Sequence, residues 1–516
     1  MKNISSTQWA IIFALVFFCI QLTQISAYGA SWDELLHYSW AQLIWRFIST
    51  GKAGYLDLLS SNGLYYGPTF YLFSYFFASA LSTVFGLSLV VSEHIPILIT
   101  ASIGVFGFYL LSARFYAKRV AGVATFLLCT YPAFIAHSHY NPKDIPLLTA
   151  FVFALLSFDL YRKSQSMRTA ILAGFAFGLA VLFKMTALFL LPIIFIAVVV
   201  DWMLRGMPRF ALVYQAKLFF SAVITTCVTI FVLWPTLWLR PMVFFSAIKL
   251  FLGQAFWHGK VLYFGTMYES AQLPWHYTIG HLFLATPVLL AGFFLIGTYV
   301  LCRSIRASGT RFAALLILLW VGIPLTFSIV SATARYDGMR QFLFVVPAIL
   351  LIAACGIDAL LALISKHFPA RFTIVMPIIS GLIVLSLGHE ILLVHPYEGS
   401  YVNELIRLRY PSHIEKVLEI EYWGSTYKEG IEWLSDNVET GSTLCVRPAA
   451  DMMYWYAPLP NDMQISCDNR AQYLMFFTRF SALPDGFDRI SMEPIFRISR
   501  MNSDLLLIYK LPPGEM

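Results

Sequence analysis

Charge is what this chain has least of. Only 12% of its 516 residues are Asp, Glu, Lys or Arg, 59% are hydrophobic, and the mean hydropathy is +0.71. A water-soluble fold of this length cannot hide so much apolar surface. The composition therefore excludes a soluble enzyme and specifies a polytopic membrane protein. No cysteine pair or cluster has the spacing of a metal site. Cys19, Cys129, Cys227, Cys302 and Cys355 lie in or beside apolar runs and read as small hydrophobes. Cys445 and Cys467 stand in a polar tail, where a disulfide in an oxidising compartment and two free thiols are both open. Internal repeats and low-complexity stretches are missing. The formal charge of +7 is spread over short loops instead of gathered in one patch, which argues against a nucleic-acid partner.

What the chain does have is long apolar runs. Those at 9–27, 94–112, 121–136, 145–160, 169–183, 187–201, 218–238, 279–301, 312–330, 342–363 and 372–393 predict about eleven transmembrane helices. Lys2, the first run and the small residues near Ala30 resemble a signal peptide, but the run is long enough to be a retained span. Residues 68–90 are also apolar, and a crossing there would invert every later loop. Short cytoplasmic loops collect Lys and Arg. Without that crossing, one side holds Arg114, Lys118 and Arg119; Arg162, Lys163 and Arg168; Arg205, Arg209 and Lys217; Arg303, Arg306 and Arg311; and Lys366 and Arg371. Residues 68–90 are thus predicted to lie on the outer surface, as an interfacial or re-entrant helix. A second such helix is predicted at 34–49, where Leu35, Leu36, Leu43, Ile44 and Phe47 recur at near-helical spacing. From His395 the long runs stop. Residues 395–516 read as a small α/β domain on the outer side, with a helix at 426–438 and strands at 442–447 and 504–510, following a transmembrane domain over 1–394.

In this topology the unusual polar residues share the outer side. They are Asp33, Glu34 and His37; His139, Asn141, Lys143 and Asp144; Lys184 at the tip of a helical hairpin; His276; and Arg335, Tyr336, Asp337 and Arg340. Ionisable side chains at membrane depth are costly and mark working sites. Lys143, Lys184, Arg335 and Arg340 run against the positive-inside bias, and an anionic ligand supplies a reason. Arg suits phosphate because its planar fork donates two parallel hydrogen bonds. Structural readings compete for each residue. Asp33 and Asp144 suit helix N-termini, Lys184 suits snorkelling to the interface, and Arg335 and Arg340 suit pairing with Asp337. The histidine spacing offers no metal triad, so no metal is predicted.

Several segments also carry a family resemblance. The Asp33-Glu34 pair opening a first outer loop is similar to the polyprenol-phosphate-sugar glycosyltransferases of the GT-C fold, which include the protein O-mannosyltransferases and the aminoarabinose transferase of lipid A. His139-Tyr140-Asn141-Pro142-Lys143-Asp144, Phe183-Lys184-Met185-Thr186, Leu273-Pro274-Trp275-His276-Tyr277, Tyr336-Asp337-Gly338-Met339-Arg340-Gln341, His395-Pro396-Tyr397, Asn403-Glu404 and Tyr422-Trp423-Gly424 resemble a bacterial, family 39-like subgroup. The resemblance implies transfer of a sugar from a polyprenyl monophosphate to a hydroxyl or amine of a lipid, glycan or protein, with inversion and without a cofactor. It implies Asp33 as the base and a bacterial inner membrane with the site facing the periplasm. A transporter of an anionic or lipid-linked substrate is the first rival. A diphosphate-using oligosaccharide transferase is the second, and it would need a divalent metal on Asp33, Glu34 and Asp144.

Overall fold

The computed structural model describes residues 4–512 apart from 60, 206–211, 254–256, 332 and 483–491. Arg209 lies outside the described residues, as does the side chain of Arg205. Among the described residues eight helices are long and apolar enough to span a membrane, or up to ten if each of two bent pairs is one span. Met167–Phe183 is a shorter apolar helix beside them. The protein is therefore an integral multi-pass membrane protein, mostly helical, with its only large sheet near the C-terminus among the described residues.

The bundle has two chemically different ends. At one, Lys118 donates to the carbonyl of Ile4 (2.8 Å), Arg114 and Arg162 pair with Asp159 (2.5 and 2.9 Å), Arg119 pairs with Asp358 (2.6 Å), and Arg162 lies over the Phe312 ring. This brings the basic residues of 114–119 and Arg162 to one end, together with Ile4, Phe312 and Asp358. The Thr69–Phe85 helix starts at the other end, where the Gly67 N–H donates to Leu182 O (3.0 Å) and the Thr69 hydroxyl to Leu233 O (3.0 Å). It finishes three residues before Leu89–Phe115, whose Val90 packs with Trp455 and Ala30. Both of its termini thus lie at the same end of the bundle.

Two spans are broken, and the sequence explains how. Lys118–Cys129 meets Pro132–Tyr140 at 62°, and Tyr277–Leu284 meets Val288–Ser304 at 117°. Pro132 and Pro287 sit at the restarts, where a missing N–H costs nothing. At the second break Asn403 Nδ2 donates to Phe283 O (2.8 Å) and Thr286 O (3.3 Å), while Glu404 accepts from the Val288 N–H (3.0 Å). The orphaned backbone groups are thereby satisfied. Val288–Ser304 then packs on Val346–His367 through Gly297 and Gly356. A Cβ at Gly297 would stand 1.8 Å from Ile352 O, so only glycine permits that approach.

The helix predicted at 34–49 is Trp32–Thr50. Its start is fixed by a capping box in which Ser31 and Glu34 each bond the other's backbone N–H. The C-terminal region folds as expected, with helix Tyr427–Asn437 and strands at Thr443–Arg447 and Ser503–Lys510. A short hairpin in the transmembrane part supplies β1 (Lys260–Tyr263) and β2 (Thr266–Glu269). Five strands follow: β3 (Thr443–Arg447), β4 (Gln464–Ile465), β5 (Tyr473–Phe477), β6 (Phe496–Arg500) and β7 (Ser503–Lys510), ordered β4-β3-β5-β7-β6. β5 is buried throughout, as a central strand should be. It runs parallel to β3 and antiparallel to β7. Cys445 and Cys467 form a disulfide. The core of this region takes in Val261, Tyr263, Leu273 and Tyr277, so it sits directly on the site end of the bundle.

Candidate active site

Asp33 is in the first turn of Trp32–Thr50, where its backbone position is set by the Ser31–Glu34 capping box. Its carboxylate accepts a 2.6 Å hydrogen bond from Arg340 Nη1 and lies 3.5 Å from Lys143 Nζ. Burial pushes the Asp33 carboxyl up, but the Lys143 and Arg340 cations outweigh it and leave it well below the usual carboxylate range. His37, one turn on, is driven the other way, first by burial and then by the Lys143 cation. It stays neutral, stacked on Tyr71 with ring centroids 4.2 Å apart.

Asn141 organises the next element. Its side-chain oxygen accepts from the backbone N–H groups of Lys143 (3.1 Å) and Asp144 (2.8 Å), and its amide donates to Asp144 Oδ2 (3.0 Å). This local turn fixes both Lys143 and Asp144 at the head of Asp144–Ser164. Asp144 in turn pairs with Lys184 at 2.6 Å. Lys184 sits at the turn between Met167–Phe183 and Met185–Phe189, as the hairpin reading expects. Arg340 is shared by two acids, since its Nη2 also pairs with Asp337 at 2.5 Å. Its guanidinium lies 4.5 Å from the Trp423 ring centroid and 5.5 Å from that of Tyr336. Lys143 lies over Tyr66. Burial keeps the Tyr66 and Tyr336 phenols protonated, helped at Tyr66 by Asp144 and Asp33 and opposed at Tyr336 by Arg340 and Lys143.

Lys143, Lys184, Arg340, Tyr66 and Tyr336 line a pocket of about 890 Å³ counting its open mouth, whereas Asp33, Asn141, Asp144 and Asp337 stand behind these residues and outside the lining. Lys143, Lys184, Arg335 and Arg340 supply one wall, Tyr66 and Tyr336 flank them, and Phe189, Leu250, Phe251 and Phe327 form an apolar wall. Arg335 and Arg340 each keep a buried Nε–H with no acceptor. Such a donor costs about 1–3 kcal/mol, more when charged, so the site is built to receive acceptors. The Thr69–Phe85 helix does not line this pocket.

Three predicted site residues are turned to structural work. Glu34 accepts from the Ser31 N–H (2.6 Å) and lies 3.3 Å from buried His94, away from the pocket. His139 is fully buried, stacked on Tyr28 at 3.7 Å, with ring nitrogens near the Ile135 and Gln21 carbonyls. The helix carrying it is buried on every face, which sequence periodicity does not reveal. His276 contacts the Tyr263 hydroxyl at 3.1 Å, outside the pocket lining. Arg335 lines the pocket, but its terminal nitrogens are taken by the carbonyls of Leu273 (2.8 Å), Ser328 (3.1 Å) and Pro274 (3.3 Å). Sequence reasoning missed Arg479, whose Nη2 pairs with Asp337 at 2.7 Å from the C-terminal region. It also missed Glu419 beside it. Neither belongs to a local pattern that could have signalled it.

The helical bundle with its bent helix pairs, the charged pocket at one end and the α/β region over it make up a GT-C fold, as the likeness to a solved structure shows. Residues 71–234 match the family described as Dolichyl-phosphate-mannose-protein mannosyltransferase. Among solved structures the chain is similar to ArnT from Cupriavidus metallidurans in the apo state, with TM-score 0.54 and 12% identity, covering 97% of this chain and 98% of that one. ArnT of the same organism bound to undecaprenyl phosphate matches with TM-score 0.49, 14% identity and 98% coverage of both chains. The oligosaccharyltransferase of Archaeoglobus fulgidus in complex with Zn and sulfate matches with TM-score 0.45 and 13% identity, over 92% of this chain and 68% of that one. No curated protein matches in sequence.

Proposed function

We propose that the protein transfers a sugar from a polyprenyl monophosphate to an acceptor hydroxyl or amine on a lipid, glycan or protein, with inversion at the anomeric carbon. One observation carries the reading: Lys143 and Arg340, the two cations that hold Asp33 (3.5 and 2.6 Å), line a pocket whose lining is otherwise largely apolar and aromatic. The acceptor atom attacks the anomeric carbon, the bond to the phosphate oxygen breaks, and the phosphate leaves with the electron pair. The acceptor proton goes to Asp33. The transition state is oxocarbenium-like, with nucleophile and leaving group on opposite faces. The phosphate departs as an anion and needs fixed positive charge, which Arg340, Lys143 and Lys184 supply.

Clamped as it is, Asp33 is a poor base, because a useful one has a pKa near the working pH. A donor phosphate that takes Arg340 and Lys143 for itself relieves the clamp and raises the Asp33 pKa. The donor therefore binds first and switches on the base. The residues do not fit the metal cage of a diphosphate user. Asp33 and Asp144 already hold cationic side chains, and Glu34 is turned to His94. Lys184 at a hairpin turn, not within a broken span, weighs against the transporter reading. The basic loops at the far end and the Cys445–Cys467 disulfide support a site on the extracytoplasmic face, here the periplasmic side of a bacterial inner membrane.

A photoreactive polyprenyl phosphate tests the pocket. Cross-links are expected in peptides holding Phe189, Phe251 and Phe327. Cross-links confined to other faces of the bundle would remove the assignment.

A further inference from the structure

The C-terminal region has a role that the charge chain behind the pocket identifies. Arg340 is gripped by Asp33 on one side and Asp337 on the other. Asp337 holds a left-handed backbone conformation (φ 55°), followed by Gly338 (φ 60°), whose N–H donates to the Tyr277 hydroxyl at 3.1 Å. Left-handed geometry is strained for a residue with a Cβ and persists only where its surroundings impose it. Arg479 provides that imposition. It follows β5 and is about 4% exposed. Its Nη2 pairs with Asp337 Oδ1 at 2.7 Å, its Nη1 donates to Tyr422 O at 3.2 Å, and its Nε lies 3.1 Å from Glu419. Its guanidinium also stands 5.6 Å from the ring centroid of Trp32, the residue before Asp33, and 5.2 Å from that of Trp257.

Arg479 thus touches the neighbours of both halves of the site. Asp337 holds Arg340, Tyr422 precedes the Trp423 ring beside Arg340, and Trp32 precedes Asp33. A buried arginine is expensive to desolvate, and such a chain of charges is weak evidence for stability. Its geometry serves position instead.

We infer that Arg479 is a positioning residue through which the C-terminal region holds Asp337, and through it Arg340, at the place where the donor phosphate binds. This rests on the phosphate-site reading above. When phosphate displaces Asp33 from Arg340, the Asp337–Arg479 pair keeps the guanidinium in place with its freed donors turned to the ligand.

Binding of undecaprenyl phosphate to the full chain in lipid nanodiscs tests this, with Arg479→Gln, Arg340→Gln and the double variant compared by native mass spectrometry. Arg479→Gln is expected to weaken binding about five- to thirtyfold. In the Arg340→Gln background it should change nothing further, because its effect passes through Arg340. Additive losses, or full affinity in Arg479→Gln, overturn the brace. Arg479→Lys keeps the buried charge and guards against misfolding. It should fold like the wild type and still bind more weakly, since the planar fork that holds Asp337 and Tyr422 together is lost. Equal binding by a folded Arg479→Lys also counts against the brace. If the wild type binds no polyprenyl phosphate, the phosphate site itself fails, and the brace with it.

Discussion

Replacing Asp33 with Asn separates the two jobs of the site, because it should move them in opposite directions. The carboxylate holds Arg340 at 2.6 Å and faces Lys143 at 3.5 Å. In the resting protein it competes with any phosphate for these cations. A hydrogen bond between charged groups is worth about 1.5–3 kcal/mol net. Asn keeps the shape but not the charge, so the competing anion is gone. Polyprenyl phosphate should then bind about tenfold to a hundredfold more tightly. The same change removes the proton acceptor, and turnover should fall about 10²–10⁴-fold. The two readouts come from one preparation: equilibrium binding of polyprenyl phosphate, and the initial rate of sugar transfer under saturating donor. A purely structural Asp33 would weaken binding and rate together. Weaker binding of the phosphate by a folded Asp33→Asn protein, or an undiminished rate, would refute the reasoning.

Three other outcomes are expected. His139→Leu should lower the thermal midpoint while leaving polyprenyl phosphate affinity unchanged, because His139 packs on Tyr28 and does not reach the pocket; a selective loss of affinity would return it to the site. Single cysteines at Lys52 and Leu87 should react with an impermeant maleimide from the same side, and one at Arg306 from the opposite side; labelling of 52 and 87 from opposite sides would mean that 69–85 crosses. Glu421 gives a pH signature. Burial raises its carboxyl to about 7, although the Gly424 and Trp423 N–H groups and the Ser400 hydroxyl pull the other way. The folded state therefore binds the proton more tightly than the unfolded chain. The stability it contributes is complete below about pH 4.3 and lost as pH rises through 7, by up to about 4 kcal/mol. Glu421→Gln should flatten that slope in a denaturation series from pH 5 to 8, and an unchanged slope would assign it to another group.

Much of the fold is legible because membranes demand long apolar runs and short basic loops. The helix Trp32–Thr50 was anticipated at 34–49 from its apolar spacing, and the expectation that 68–90 does not cross rests on where Arg and Lys stand. The tail's helix and strands followed from ordinary periodicity. The site was legible as a set of anomalous cations and acids, of which Asp33, Asn141, Lys143, Asp144, Lys184, Tyr336, Asp337 and Arg340 converge. What sequence could not give is side-chain direction. Glu34 is adjacent to Asp33 yet points to His94, because consecutive residues on a helix are about 100° apart. Arg479 meets Asp337 across 142 residues of chain, a distance no local motif spans. The broken spans were read as continuous because Pro132 and Pro287 interrupt geometry without interrupting hydrophobicity.

The most direct test of the central claim is release of free polyprenyl phosphate from a panel of polyprenyl-phosphate sugars, with purified protein in nanodiscs and membrane extract as acceptor source, the wild type beside Asp33→Asn. Release from one donor by the wild type, lost in the variant, is the predicted result and would name the sugar. No release from any donor, or equal release by both proteins, would contradict the account.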